Sequence, residues 1–172
     1  SSKFTIIPAG VDLELFCPGK KNEILTMVYH GRLDKHRGIL ALPMFAHKAK
    51  QAGVKLRLIL IGEGDVFPQL QNLSESYDYI QVEPNMKQEK IASLLAEAHL
   101  GLLPMPDTKL WSIASPLKRS EYAAAGMMIF GIDHSGHRFP NMQSCEWMKL
   151  VPQYDFHTDG VEWLKSLNQD LI

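Results

Sequence analysis

"KLRLILIGEGD" (residues 55–65) decides the architecture. From Leu56 to Ile61 every position except Arg57 is apolar, and the run closes on Gly62 and Gly64. A half-exposed strand alternates apolar and polar side chains, whereas a strand buried on both faces reads as a continuous apolar run. This segment is of the second kind, the kind found inside a parallel sheet covered by helices. The pattern recurs outward from it. "ILTMVYHG" (24–31) precedes it, and "YIQV" (79–82), "HLGLLPM" (99–105) and "MMIFGI" (127–132) follow.

Amphipathic helical stretches fill the gaps. One spans about Ile39 to Ala52 with Gly53 past its end, and Pro43 implies that it starts a turn late or bends. Another, capped by Asp65, runs to about Ser76 with Pro68 in its first turn. "KQEKIASLLAEA" (87–98) sets Ile91, Leu94 and Leu95 on one face. "SPLKRSEYAAAG" (115–126) has Ser115 as N-cap, Pro116 at the first helical position and Gly126 just past the end. "KFTII" (3–7) reads as a short entry strand, "MKLVP" (148–152) as an edge strand, and Val161 to Leu171 as a closing helix. Alternating strands and helices with right-handed crossovers predict an α/β fold, a Rossmann-like doubly wound parallel sheet with helices on both faces.

With 172 residues the chain can bury one full core, and residues 1–172 are expected to form a single domain. Its 45% apolar and 22% charged residues match a soluble globular protein, and a formal net charge of −1 gives no basic field for nucleic acid or anionic membranes. Cys17 and Cys145 have no zinc or redox spacing, so a reduced, cytoplasmic setting is the default. No signal peptide is evident, and no apolar run approaches the roughly 18 residues of a membrane span. The abrupt start without methionine reads as a piece of a longer chain.

Doubly wound sheets bind ligands beyond the carboxyl ends of their strands. The segments there are Gly31–Arg32, Gly62–Glu63–Gly64, Glu83–Asn85, Met105–Ser115 and Asp133–Gly136, where the chain gathers its glycines and spare charges. Two of these loops suit a diphosphate. "HGRLDKHRG" places Gly31 at a strand end, then Arg32 and Arg37, whose planar guanidinium groups grip two phosphate oxygens at once. In the other, the free N–H groups of residues 116 to 118 and the Lys118 ammonium would meet the same anion. Lys118 and Arg119 sit in the first turn, where a helix already carries about half a positive charge, so an anion would explain them.

A blander reading stands beside this one. Arg32, Lys35 and Arg37 would be solvated charges balanced by Asp34, and Lys118 would pair with Glu121 one turn on. Glu121 could instead accept two hydrogen bonds from a ribose diol. The sequence contains no P-loop, and "GEG" is too short for a dinucleotide fingerprint. His30, His36, His134 and His137 lie near the same edge without metal-ligand spacing, so no metal site and no catalytic histidine is assigned.

In order and spacing, "IPAGVDLELF", "GRLDKHRG", "LILIGEGD" and "SPLKRSEYAAAG" resemble the C-terminal half of GT-B fold glycosyltransferases. The resemblance is to the large retaining family of sucrose synthase-like and bacterial capsule and lipopolysaccharide enzymes, over about residues 5 to 132. It implies a donor domain that binds a nucleoside-diphosphate sugar for metal-independent, retaining transfer. The acceptor glycan or lipid-linked sugar would be held by an N-terminal domain. No cofactor is implied, and the whole protein would be cytoplasmic, with peripheral association at the inner membrane face as one expectation. Arg32 matches the arginine of the family's "GRL", and Arg37 stands where a lysine is usual. Ser115, Pro116, Leu117 and Lys118 match the "SPLK" donor loop, with Arg32 and Lys118 expected to stabilise the departing diphosphate as the catalytic pair. Glu121 matches the second glutamate of the Glu-x7-Glu motif, which holds the ribose. Gly31, Glu63 and Asn85 complete the expected donor-binding set.

Two departures bear on activity. Ile113 stands where the first motif glutamate belongs, and Pro84 replaces a glycine after the third strand. "GIDHSGHRFPNM" (131–142) follows no family pattern. Two rival readings are a nucleotide-sugar epimerase, for which Glu63 and Asp107 would be the candidate carboxylates, and a degenerate non-catalytic scaffold.

Overall fold

In the computed structural model, residues 10–112, 117–140 and 145–170 are described, the side chains of 168–170 excepted. The entry strand expected at 3–7 lies outside them. Strands β1 (Leu25–His30), β2 (Leu56–Ile61), β3 (Ile80–Glu83), β4 (Leu100–Leu103), β5 (Met128–Ile132) and β6 (Met148–Val151) form one six-stranded sheet in the order β3-β2-β1-β4-β5-β6. Every pairing is parallel, with Leu25 opposite Leu56 and Met27 opposite Leu100 setting the register around β1. The chain builds outward from β1 through β2 to β3, then returns to the other side of β1 with β4. That reversal puts the topological switch point between β1 and β4, where such sheets open a crevice.

The helices are α1 (Ala41–Gln51), α2 (Phe67–Ser76), α3 (Gln88–Glu97), the one-turn α4 (Lys109–Ser112), α5 (Leu117–Ala124) and α6 (Phe156–Asp170). α1 starts at Ala41, two residues rather than a full turn after Ile39, with Pro43 in its first turn, and Gly53 follows it in the left-handed region at φ 92°. Asp65 does not cap α2. That helix starts two residues later, and the Asp65 carboxylate accepts the Lys35 N–H at 2.8 Å instead. The closing helix begins five residues before the expected Val161, because a 3-10 turn at Gln153–Asp155 leads straight into Phe156.

Right-handed crossovers put α1 and α2 on one face and α3 and α5 on the other, and α6 packs against α1. An aromatic stack fastens the α1/α6 face. Phe130 of β5 lies 5.0 Å from Phe45, 4.9 Å from Phe156 and 5.8 Å from Trp163, centroid to centroid. On the opposite face Tyr122 of α5 lies directly on Gly101 of β4, where any Cβ would intrude on its ring. Fully burying one such aromatic ring contributes about 1.5–3 kcal/mol.

At the sheet's amino edge, the Lys21 ammonium donates to Ala96 O at 3.0 Å and Ala125 O at 2.9 Å. It thereby satisfies a carbonyl in the last turn of α3 and one just past the end of α5, both at negative helix termini. Among the described residues, no helix is long and apolar enough to cross a membrane.

Candidate functional site

The turns after β1 and β2 are nested against each other. A Cβ on Gly62 would fall 1.8 Å from Gly31 O, so glycine is required there by close approach as well as by its φ of 151°. "GEG" therefore serves packing between the two turns. Asp34 and Asp65 lace them further. The Asp34 carboxylate accepts the Asp65 N–H at 3.0 Å while Asp65 accepts from Lys35. This scaffold fixes the backbone from Gly31 to the 3-10 turn Lys35–Arg37.

Arg32 and Arg37 have different surroundings. Arg32 is half-exposed and turned onto Asp34, with Nε to Oδ2 at 3.1 Å and a second nitrogen to Oδ1 at 3.2 Å. Hydrogen bonding from Arg32 and from the Asp65 N–H holds the Asp34 carboxyl below its ordinary value. For Arg32 the balancing role of Asp34 is thus observed. Arg37 is delivered inward by the 3-10 turn. Its guanidinium carbon lies 4.9 Å from the Trp111 ring centroid, its Nε is buried without a hydrogen-bond partner, and it reaches the Tyr29 hydroxyl. Burial, opposed by Arg37, pushes that hydroxyl up to about 12, so Tyr29 is a neutral phenol that donates to Arg32 O at 2.9 Å.

Lys118 approaches the same place from α5. Its Nζ lies 5.5 Å from the Tyr29 ring centroid, and its Cε would be 3.3 Å from a Cβ on Gly31, the residue beside Arg32. The two expected contributors, the "GRL" turn and the α5 first turn, therefore share one rim at the carboxyl end of β1. Burial first, and Arg37 second, bring the Lys118 ammonium down to about 8, with Glu121 pulling the other way. Among the described residues neither Arg37 nor Lys118 has a carboxylate within ion-pair distance.

Glu121, one turn further along α5, is 5% exposed. It does not pair with Lys118: its Oε2 lies 2.8 Å from His30 Nε2, and His30 in turn meets Tyr122 edge-on at 5.7 Å. One carboxylate is thus held at depth below two cations, at the β1–β4 switch point.

The remaining expected residues are more peripheral. Glu63 is exposed, and its carbonyl accepts the Leu33 N–H at 2.8 Å. Asn85 is exposed in the turn after β3, and Leu117 is 41% exposed at the start of the described part of α5. Ser115 and Pro116, with Ile113, lie outside the described residues.

Sequence reasoning placed His30 at this edge without a role, and missed Tyr29 and Trp111. His30 and Tyr29 are the last two residues of β1, immediately before the glycine that marks the strand's carboxyl end, so their position was the available signal. Trp111 lay in what read as a polar loop. It sits on α4, with His36 stacked on it at 5.8 Å.

An all-parallel sheet whose strand order reverses beside β1 defines a doubly wound α/β domain, with cations and a deep carboxylate gathered at its switch point. At the level of sequence, neither a family model nor a curated protein matches the chain. Solved structures do. The pneumococcal O-GlcNAc transferase GtfA, in complex with UDP and GlcNAc, aligns with a TM-score of 0.71 at 15% identity over 91% of this chain and 31% of its own. TarM aligns with a TM-score of 0.72 at 12% identity over 91% of this chain and 30% of its own. AviGT4, a glycosyltransferase of avilamycin A biosynthesis, aligns with a TM-score of 0.67 at 19% identity over 96% and 49%. The chain has the Rossmann-like fold of a GT-B glycosyltransferase C-terminal domain. It spans about a third to a half of the length of these relatives.

Proposed function

We propose that this domain binds a nucleoside-diphosphate sugar at the β1–β4 switch point. It would serve as the donor half of a retaining, metal-independent glycosyltransferase whose acceptor is held elsewhere. The observation that carries this reading is that Lys118 packs beside Gly31 within electrostatic reach of Arg37, and that among the described residues neither cation has a carboxylate in ion-pair reach. Two cations partly withdrawn from water repel each other, and a diphosphate relieves both the repulsion and the missing counter-charge. Glu121 lies at depth, where an acceptor for ribose hydroxyls belongs, and its Oε2, beside His30 but without a hydrogen bond, is left with accepting capacity.

The chemistry follows from these charges. When the sugar leaves, negative charge grows on the β-phosphate, and preorganised cations stabilise that growth without reorganising. Lys118 and Arg37 take this role, and Arg32 stands outside them at the rim, able to join if it releases Asp34. The epimerase reading draws no support from the site: Glu63 is exposed, and Asp107 is exposed with its N–H donating to Gln153.

Calorimetric titration of the domain with uridine, guanosine and adenosine diphosphates tests the proposal. Saturable binding of at least one, tighter than its parent nucleoside, is the expected result. No binding of any at millimolar ligand overturns it and leaves a scaffold.

A further inference from the structure

Lys118 and Arg119 looked like a single cationic feature of the α5 first turn, but consecutive helical residues point about 100° apart. Arg119 is 4% exposed and turned toward the residues that follow β5. Its Nη1 donates to Gly136 O at 3.2 Å and Arg138 O at 2.5 Å, and its guanidinium lies 4.5 Å from the Phe139 ring centroid. It therefore grips the turn after β5, the stretch that followed no family pattern.

That turn is bound on every side. The His134 Nδ1 accepts the Gly136 N–H at 3.2 Å, which leaves its Nε2–H to donate to Met105 O at 3.1 Å, past the end of β4. The His137 Nδ1–H donates to Ile132 O at 2.6 Å, at the end of β5, and the two rings lie 3.8 Å apart. The Ser135 hydroxyl donates to Ser112 O at 2.5 Å, anchoring the segment that carries Trp111. Arg138 pairs with Asp133 at 2.7 Å across the base of the turn.

The turn thus joins three things: the ends of β4 and β5, the Trp111 segment that backs Arg37, and, through Arg119, the first turn of α5. The geometry points to Arg119 as a positioning residue for the anion site. By fixing α5 to the turn after β5, it sets Lys118 at the distance from Gly31 and Arg37 that a diphosphate requires. This rests on the donor-site reading above. A displacement of about 1 Å at a binding group costs as much as 100-fold in function, which makes such a clamp consequential.

A double-mutant cycle separates positioning from general support. Binding of uridine, guanosine and adenosine diphosphates is measured by calorimetry for the wild type, Arg119→Met, Lys118→Ala and the double variant. Thermal melting confirms that each is folded. Arg119→Met is expected to weaken the bound diphosphate about 10-fold when Lys118 is present and less than about 2-fold in the Lys118→Ala background, because its effect passes through Lys118. Nucleoside affinity should stay unchanged. Should Arg119→Met fail to fold, Phe139→Leu, which removes the ring beneath the guanidinium, takes its place in the same cycle. Equal losses in both backgrounds, or no loss in either, overturn the positioning role. A wild type that binds none of the three diphosphates overturns the donor-site reading itself.

Discussion

Lys118 gives the sharpest quantitative expectation. Burial and the neighbouring Arg37 bring its ammonium down to about 8 in the ligand-free site. A bound diphosphate supplies the missing negative charge and returns it to its ordinary value near 10.4, so binding takes up a proton wherever the free site has lost one. From the titration curve, the free site is about 10% deprotonated at pH 7, about half at pH 8 and about 90% at pH 9. Proton uptake should therefore rise from about 0.1 to about 0.9 per ligand across that range. Affinity should fall as pH rises through 8, approaching tenfold per unit above it, since each ligand must then bring a proton with it. The terminal phosphate, with a last ionisation near 6, is already charged there and does not confuse the slope. Calorimetry of diphosphate binding at pH 8 in two buffers of different ionisation enthalpy reads the uptake directly. Lys118→Arg, whose guanidinium stays protonated, should abolish it. A binding enthalpy independent of buffer, with affinity flat from pH 7 to 9, would refute the reasoning.

The two arginines should separate, as their partners do. Arg37→Ala should weaken diphosphate binding about tenfold or more, the scale of a charge-assisted hydrogen bond of about 1.5–3 kcal/mol, whereas Arg32→Ala, already paired with Asp34, should cost less than threefold. Competition titration ranks them, and equal losses would mean that Arg32 swings inward. Glu121→Ala should lower affinity for the nucleoside as much as for its diphosphate, by about tenfold, and a loss seen only with the diphosphate would remove Glu121 from the ribose. His137 supplies an acid-stability test. Burial first, then His134, Lys118 and Arg119, bring its imidazole down to about 3 against the Ile132 hydrogen bond. Between that value and about 6.5 the unfolded chain binds the extra proton, so stability falls with pH in this window by up to about 1.4 kcal/mol per unit. Urea unfolding at pH 7 and pH 4.5 should show the loss in the wild type and a smaller one in His137→Gln.

The strands were legible because burial on both faces leaves a signature in residue type. "LRLILI" and "MIFGI" are too continuously apolar for a half-exposed strand, and their alternation with helical stretches points to a covered parallel sheet. The candidate site was legible in outline for a related reason: Arg32 and Arg37 follow the carboxyl end of β1, Lys118 and Glu121 lie in the first turns of the helix that follows β4, and a parallel sheet brings those ends to one rim. What could not be read was which arginine turns inward. That depends on the 3-10 turn at Lys35–Arg37 and on Trp111, which is distant in sequence. Asp65 misled because its carboxylate found the Lys35 N–H across the nested turns before any helix terminus. The turn after β5 was opaque for a more general reason. Its histidines and Arg119 bond to the carbonyls of Met105, Ile132, Gly136 and Arg138, and a backbone carbonyl carries no residue identity to be read.

The lysine at the amino edge acquires a second meaning beside Arg119. Lys21 anchors the carbonyl end of the helix that bears Lys118 and Glu121, and Arg119 anchors its opening turn. A rod bolted at both tips cannot tilt or slide to meet a guest. Its freedom is surrendered when the chain folds, so little is left to lose on complexation, and a ligand of the wrong length gains nothing from adjustment of this element. Discrimination along the rod should therefore come from a fixed gauge between ammonium and carboxylate, one helical turn apart.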